Sequence, residues 1–255
     1  MTVVLANARN FRHACEFAQP STPHLRRGTL YRSGDLSALD DSDLQQLASA
    51  GISLIIDLRS AYECQRRPNR LPAGGSYQLI HGNIHVDVRA ANGSLGQLLR
   101  SEAGPAGVNR MMHATYAALP AAMTPLLAPV VQAIIDTPGA TLVMCTAGKD
   151  RTGYLIATLL TMIGIDRDTV IEDYLMTNQR IDLDAMAATS GKLMQELFDV
   201  SLPREALDVV NQVSVHYLET AAAAVRTQYG DVERWLAAAG IDTSLRSQLR
   251  SRLLA

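Results

Sequence analysis

Two runs in this chain are apolar at consecutive positions instead of alternating positions. Ile52–Leu58 (ISLIIDL) and Thr141–Met144 (TLVM) lack the in–out rhythm of a strand with one wet face. Each therefore predicts a strand buried on both faces, as in parallel sheets. Thr29–Ser33 (TLYRS) and Tyr77–Ile80 predict two shorter strands. Asp40-Asp41-Ser42-Asp43 predicts the capped start of a helix that runs through Ala50 and stops at Gly51. Residues 81–109 hold many Gly, Asn, Asp and Ser and predict a long loop. A helix is expected from about Ala121 to Asp136, ended by Thr137-Pro138-Gly139, and another over Arg151–Gly164. The rest reads as helix: Thr169–Gln179 capped by Asp168, an amphipathic Leu183–Phe198, a long helix opened by Pro203 and reaching about Tyr229, and short helices near Val232–Ala239 and Ser244–Leu254.

This order predicts an α/β fold, a central and mostly parallel sheet flanked by helices, in one domain spanning residues 1–255. No repeat, low-complexity tract or linker interrupts it. Hydrophobic residues make up 47% of the chain, which excludes disorder. The formal charge of −2 gives no global attraction to nucleic acid or acidic membrane, so any anion must be bound locally. The longest apolar stretch, Tyr154 to Ile165, is too short to span a bilayer, and Met1–Asn7 has no signal-peptide pattern. The expectation is a protein without stable membrane insertion, cytoplasmic or exported without a classical signal peptide. The sequence sets no oligomeric state. Cys15, Cys64 and Cys145 are far apart, odd in number and form no CxxC pair, which argues against zinc and against a disulfide framework.

The chemistry concentrates where the second apolar strand meets the Arg151 helix. Cys145-Thr146-Ala147-Gly148-Lys149-Asp150-Arg151-Thr152 joins them by a tight loop, an arrangement that aims backbone N–H groups at an anion. A thiolate is the nucleophilic form of cysteine, and a helix N-terminus favours it. Five residues between Cys145 and Arg151 let Thr146, Ala147, Gly148, Lys149 and Asp150 curl around a tetrahedral anion. Gly148 removes bulk at the sharp part of the curl, and Arg151 returns to offer a two-pronged hydrogen bond to phosphate. The Thr152 hydroxyl is expected near the Cys145 sulfur. The bland alternative, a structural cysteine and a surface arginine, does not account for the strand–loop–helix context. A nucleotide-binding loop would need glycine at Val143 and Ser or Thr at Asp150. A sulfur transferase also cradles an anion around cysteine, but the returning Arg151 and Thr152 favour phosphate.

The loop Cys145–Gly153 (CTAGKDRTG) resembles that of bacterial protein-tyrosine phosphatases of the secreted mycobacterial type. The similarity extends through Asn10-Phe11-Arg12, Leu30-Tyr31-Arg32-Ser33, Ile56-Asp57-Leu58-Arg59-Ser60 with Glu63, Asp173-Tyr174-Leu175 with Asn178, and Tyr229-Gly230. The resemblance implies the cysteine-dependent phosphatase fold with a helical lid, here at about 178–215. It implies a two-step reaction through a cysteinyl-phosphate, needing neither metal nor cofactor. It also implies a phosphotyrosine protein as substrate, with phosphoserine, phosphothreonine and phosphoinositides as further classes. Two positions depart from it: Met144 stands where the family has histidine, and His13 where it has aspartate. Met144 motivates the rival reading, a catalytically weak phosphate-recognising module.

On this reading Cys145 is expected to attack phosphorus, Arg151 to hold the phosphoryl oxygens and Asp150 to protonate the leaving oxygen. Asp87, in the long loop, is the alternative acid. Lys149 either binds a second phosphate or balances Asp150. Asp57 and Arg59 share one strand face near the same sheet edge, as pocket residues or, on the stronger reading, as an internal ion pair supporting the loop. His81 and His85 are four apart, but Gly82 and Asn83 between them argue against a helix and hence against a metal pair. Leu193, Leu197, Val209, Val210 and Val213 are read first as packing residues.

Overall fold

The computed structural model describes residues 3–16, 23–72, 74–75, 77–84 and 94–255; Asp87 and His85 lie outside the described residues. In chain order the elements are β1 Arg12–His13, β2 Leu30–Ser33, α1 Asp41–Ser49, β3 Ile52–Asp57, α2 Ala61–Arg66, β4 Gln78–His81, α3 Ser94–Ser101, α4 Pro105–Asp136, β5 Ala140–Met144, α5 Asp150–Met162, α6 Arg167–Leu175, α7 Thr177–Arg180, α8 Leu183–Phe198, α9 Arg204–Asn211, α10 Val215–Tyr229, α11 Val232–Ala238 and α12 Thr243–Leu253. They divide into two compact units. The first takes the described residues before 85, then 123–174 and 233–255; the second takes 94–122 and 175–232.

The first unit carries a five-stranded sheet in the order β1-β2-β5-β3-β4. β2, β5, β3 and β4 are parallel, and only the two-residue β1 runs against its neighbour. β5 lies between β2 and β3 and is buried at every position, as its unbroken apolar run requires. Leu54, Ile55, Ile56, Leu142 and Val143 are all fully buried. Each such side chain contributes about 1.5–3 kcal/mol of transfer free energy. Met144, the last residue of β5, pairs in register with Ser33 on one side and Asp57 on the other. The chain therefore leaves the sheet at the carboxyl ends of its central strands, the edge where α/β folds place their sites.

The expected cap of the first helix is present. Asp40 accepts from the Asp43 N–H while Asp43 accepts from that of Asp40, and Asp43 also accepts from the backbone of Ala6 and Asn7. Burial pushes the Asp43 carboxyl up, but these bonds together with the Asn7 side chain hold it below the ordinary range. One acid thus starts a helix and fastens the N-terminal segment to it.

Other elements differ from the expectation. The long loop expected over 81–109 contains α3, and α4 begins at Pro105, well before Ala121. Val108, Met112, Tyr116, Leu119, Met123, Leu127, Val130 and Ile134 recur at three- and four-residue steps, and all are buried. The stripe outweighs the prolines. α4 is long and apolar enough to cross a membrane by length and composition, but these buried positions mark it as a core helix. The single helix expected from Pro203 to Tyr229 is two, α9 and α10, parted at Gln212–Ser214, where the Ser214 hydroxyl accepts from the His216 N–H. The cap assigned to Asp168 belongs to Asp166, whose carboxylate accepts from the Thr169 N–H and hydroxyl.

The second unit is helical. Asn178 and Val213 exchange two hydrogen bonds of 2.9 and 2.8 Å, fixing the start of α7 to the turn before α10. Tyr116 and Tyr217 stack at 5.2 Å. Val210 and Val213 are buried, Leu197 and Val209 half-buried and Leu193 exposed.

Candidate active site

Cys145 follows β5 directly and is buried. The loop after it is held from outside. The Thr146 carbonyl accepts from the Asp35 N–H at 3.2 Å, and the Gly148 carbonyl accepts from Asn10 Nδ2 at 2.7 Å and Arg32 Nη2 at 3.1 Å. A trans peptide carries its C=O and the next N–H on opposite sides. Anchoring these carbonyls outward therefore turns the N–H groups of Ala147 and Lys149 to the inner side of the curl. Gly148 is required there. Its φ is +66°, and a Cβ would lie 2.3 Å from the Ser33 carbonyl carbon.

Arg151 returns in the first turn of α5 and is gripped by Glu63. Its Nη1 donates to Oε2 and its Nη2 to Oε1, both at 2.7 Å, while Nη2 also donates to the Thr146 hydroxyl at 3.2 Å. The Thr146 hydroxyl donates in turn to Glu63 Oε1. Glu63 is positioned by its own helix cap: Ser60 Oγ accepts from the Glu63 N–H, and Glu63 Oε2 accepts from the Ser60 N–H. Burial pushes the Glu63 carboxyl up, yet hydrogen bonding and charge from Arg151, with the Thr146 hydroxyl, bring it down to about 2. Burial would lower the Arg151 guanidinium, but Glu63 and the charge of Cys145 raise it further above its ordinary value.

The other loop residues fall into place around these. Lys149 is buried and donates to Asp150 Oδ1 at 2.9 Å. The Thr152 hydroxyl is fully buried and has no hydrogen-bond partner among the described residues, so the expected contact with the Cys145 sulfur is not formed. Asp57 and Arg59, the candidate pocket pair, face each other. Arg59 Nη2 meets Asp57 Oδ2 at 2.7 Å, Nε meets Oδ1 at 2.9 Å, and Nη1 donates to the Arg67 carbonyl at 2.6 Å. Every guanidinium nitrogen is engaged inside the protein, which makes Arg59 a support for the sheet edge.

Of the three cysteines, two are held as thiols. Burial, followed by the charge of Asp173, pushes Cys15 up to about 12, and burial with Asp57 raises Cys64. Only Cys145 sits at the strand–helix junction with a guanidinium beside it. The sequence profile of the tyrosine phosphatase family matches residues 3–255. The chain belongs to that family.

Among its relatives, the triple specificity protein phosphatase PtpB of Mycobacterium tuberculosis is 31% identical over 98% of both chains. A tyrosine-protein phosphatase of Nostoc commune is 29% identical over 87% of this chain and 73% of its own. This tyrosine phosphatase is therefore an enzyme acting on a phosphorylated substrate.

Behind the loop lies a buried network whose residues the sequence singles out without giving them a role. Arg32, which holds the Gly148 carbonyl, also donates through Nη1 to Asp173 Oδ2 at 2.6 Å. Arg12 lies 3.7 Å from Asp173 Oδ1, donates to the Asp173 carbonyl at 2.7 Å, and donates to the Asn10 side chain. Burial pushes the Asp173 carboxyl up, but the charges of Arg32 and Arg12 hold it below the ordinary range. Two arginines around one aspartate thus anchor the back of the Cys145–Arg151 loop. Glu63 was similarly missed as a functional group, although Ser60-x-x-Glu63 is a readable capping box.

Met144 has a structural explanation. Its side chain is fully buried in an apolar cluster with Leu5, Phe11, Leu36, Leu39 and Leu142. In this phosphatase the residue before Cys145 is part of the hydrophobic core.

Proposed function

We propose that this phosphatase hydrolyses phosphotyrosine in proteins through a cysteinyl-phosphate on Cys145. The observation that carries the reading is the loop itself, its carbonyls tied outward and Arg151 braced at its lip. Cys145 Sγ forms a bond to phosphorus as the bond to the tyrosine oxygen breaks, and Asp150 gives that oxygen a proton. Water then attacks phosphorus and gives a proton to the Asp150 carboxylate, the S–P bond breaks, and the thiolate is restored. The inward N–H groups stabilise the phosphoryl oxygens as charge builds on them. Glu63 occupies the end-on edge of the Arg151 guanidinium, which leaves the Nε side to the phosphate. The unpartnered Thr152 hydroxyl is available to the thiolate as it departs.

The reading extends to phosphoserine, phosphothreonine and phosphoinositides, supported by the words triple specificity in the name of the M. tuberculosis relative. Residues 178–215 act as a helical lid in this proposal; it is supported by the Leu193 side chain, apolar and 38% exposed on α8. The test is turnover of p-nitrophenyl phosphate by the full chain. Cys145→Ser abolishes it while orthovanadate still binds. Near-normal turnover by Cys145→Ser sinks the mechanism. Vanadate binding without turnover in the unsubstituted protein would return the reading to a phosphate-recognising module.

A further inference from the structure

Cys64 has no part in the phosphatase chemistry, yet its surroundings are specific. It lies on α2, half-buried, and its thiol donates to Asp57 Oδ2 at 3.6 Å. Asp57 and His81 end the parallel strands β3 and β4 at registered positions, so their side chains leave the sheet on one face. α2 brings Cys64 to the same place. The Cys64 sulfur, a carboxylate oxygen of Asp57 and a ring nitrogen of His81 all lie within 4.8 Å of one another.

We propose that Asp57, Cys64 and His81 form a binding site for a thiophilic divalent cation of the zinc class. One sulfur, one oxygen and one imidazole nitrogen are the donors zinc accepts, and three of them leave a fourth tetrahedral position for water. Zn–S of about 2.3 Å and Zn–O of about 2.0–2.2 Å at a tetrahedral angle place the two ligand atoms about 3.5–3.7 Å apart. The observed separation is 3.6 Å, so the cation takes the place of the thiol proton without moving either atom far. That proton leaves to solvent, and binding weakens as pH falls. His81 is exposed and has no hydrogen-bond partner among the described residues, so its ring turns toward the cation at no cost in bonds. Asp57 Oδ2, the oxygen facing the thiol, also accepts from Arg59 Nη2 at 2.7 Å and Asn69 Nδ2 at 3.0 Å, so the cation displaces the Asn69 amide, while Oδ1 retains the Arg59 N–H at 3.0 Å and Nε at 2.9 Å and the carboxylate bridges cation and guanidinium.

The site lies outside the phosphate loop but acts on it. Glu63, next to Cys64 on α2, braces Arg151. A cation that ties α2 to the ends of β3 and β4 fixes that brace.

The experiment titrates cobalt(II) and zinc(II) into the full chain carrying Cys145→Ser, which removes the loop thiol as a competing ligand. One equivalent of cobalt binds with a thiolate-to-metal charge-transfer band, and zinc displaces it. Adding Cys64→Ser abolishes the band. Adding His81→Ala weakens binding by about tenfold or more, since even outer-shell partners of a metal site are worth about 10–100-fold. A missing band, or one that survives Cys64→Ser, overturns the proposal. Alkylation supplies a second measurement that leaves Cys64 in place. Zinc protects Cys64, mapped by peptide mass, and leaves the rate at Cys15 unchanged; equal Cys64 rates with and without zinc overturn the site.

Discussion

Glu63 meets Arg151 end-on, each carboxylate oxygen accepting from one terminal nitrogen at 2.7 Å. This charge-assisted fork fixes the plane of the guanidinium, the group proposed to meet the phosphate. Glu63→Gln keeps the shape but removes the charge, and kcat/KM is expected to fall about 10- to 100-fold, the loss of roughly 1.5–3 kcal/mol of charged hydrogen bonding. Steady-state kinetics at constant pH measures it. An unchanged kcat/KM would mean that Arg151 orients itself.

The same pair sets an acid limb in stability. Glu63 moves from an ordinary 4.5 to about 2 on folding. Above 4.5 the carboxylate is ionised in both folded and unfolded chains, and its contribution of about 3 kcal/mol is fully present. As pH falls from 4.5 toward 2 the unfolded chain takes up the proton first, and the contribution is lost. The urea midpoints of the unsubstituted protein and Glu63→Gln are therefore expected to draw together below pH 5 and to converge only near pH 2. A constant gap across that range would rule out Glu63 as the group responsible.

Gly148 and Asn10 test the back of the loop. Asn10 has φ +57°, a conformation that glycine adopts freely, so Asn10→Gly removes the bond to the Gly148 carbonyl, and with it the bond from Arg12, without adding backbone strain. Vanadate affinity is expected to fall a few-fold to about tenfold, the worth of one buried hydrogen bond of about 0.5–1.5 kcal/mol. Isothermal titration reads this directly, and unchanged affinity would show that Arg32 alone suffices.

Gly148→Ala is expected to be far more severe. The added methyl meets the Ser33 backbone at 2.3 Å and also imposes a left-handed φ on alanine. Together these cost about 2–5 kcal/mol, and the loop or β2 must move. Thermal melts and vanadate binding are expected to fall together. A variant of normal stability that binds vanadate normally would contradict the close approach.

Much of this architecture was legible in the chain because it is local. The doubly buried β3 and β5, the Asp40–Asp43 cap and the strand–loop–helix around Cys145 all declare themselves within a dozen residues. The Arg12–Asp173–Arg32 network does not, since its members come from β1, β2 and α6 and only folding brings them together. β1 is two residues long and exists only by pairing with β2. The expected start of α4 at Ala121 overlooked its buried stripe, which begins at Val108. Glu63 was visible as a capping residue, but its bond to Arg151 spans 88 positions.

Met144→His tests whether a histidine in that position would serve this phosphatase. The side chain at 144 is enclosed by Leu5, Phe11, Leu36 and Leu142. An imidazole placed there loses its water without gaining a partner, at about 1–3 kcal/mol. The expected result is a lower denaturation midpoint and no gain in kcat. A faster, equally stable Met144→His would show that the ring finds a donor or acceptor beside the loop.

Asp150 presents the sharpest choice between chemistry and support. It opens α5 one residue before Arg151 and accepts from Lys149 Nζ at 2.9 Å. That ion pair suits a structural partner of Lys149. A catalytic acid must instead hold a proton when the leaving oxygen needs it. Leaving groups separate the two roles. p-Nitrophenolate departs without a proton, whereas phenolate and alkoxide do not. If Asp150 is the acid, Asp150→Asn slows phenyl phosphate far more than p-nitrophenyl phosphate and flattens the basic limb of the pH–rate profile. If its role is to hold Lys149, both substrates slow equally, and Lys149→Met reproduces the loss. Equal losses would move the acid elsewhere, and the same pair of substrates applied to Asp87→Asn would locate it.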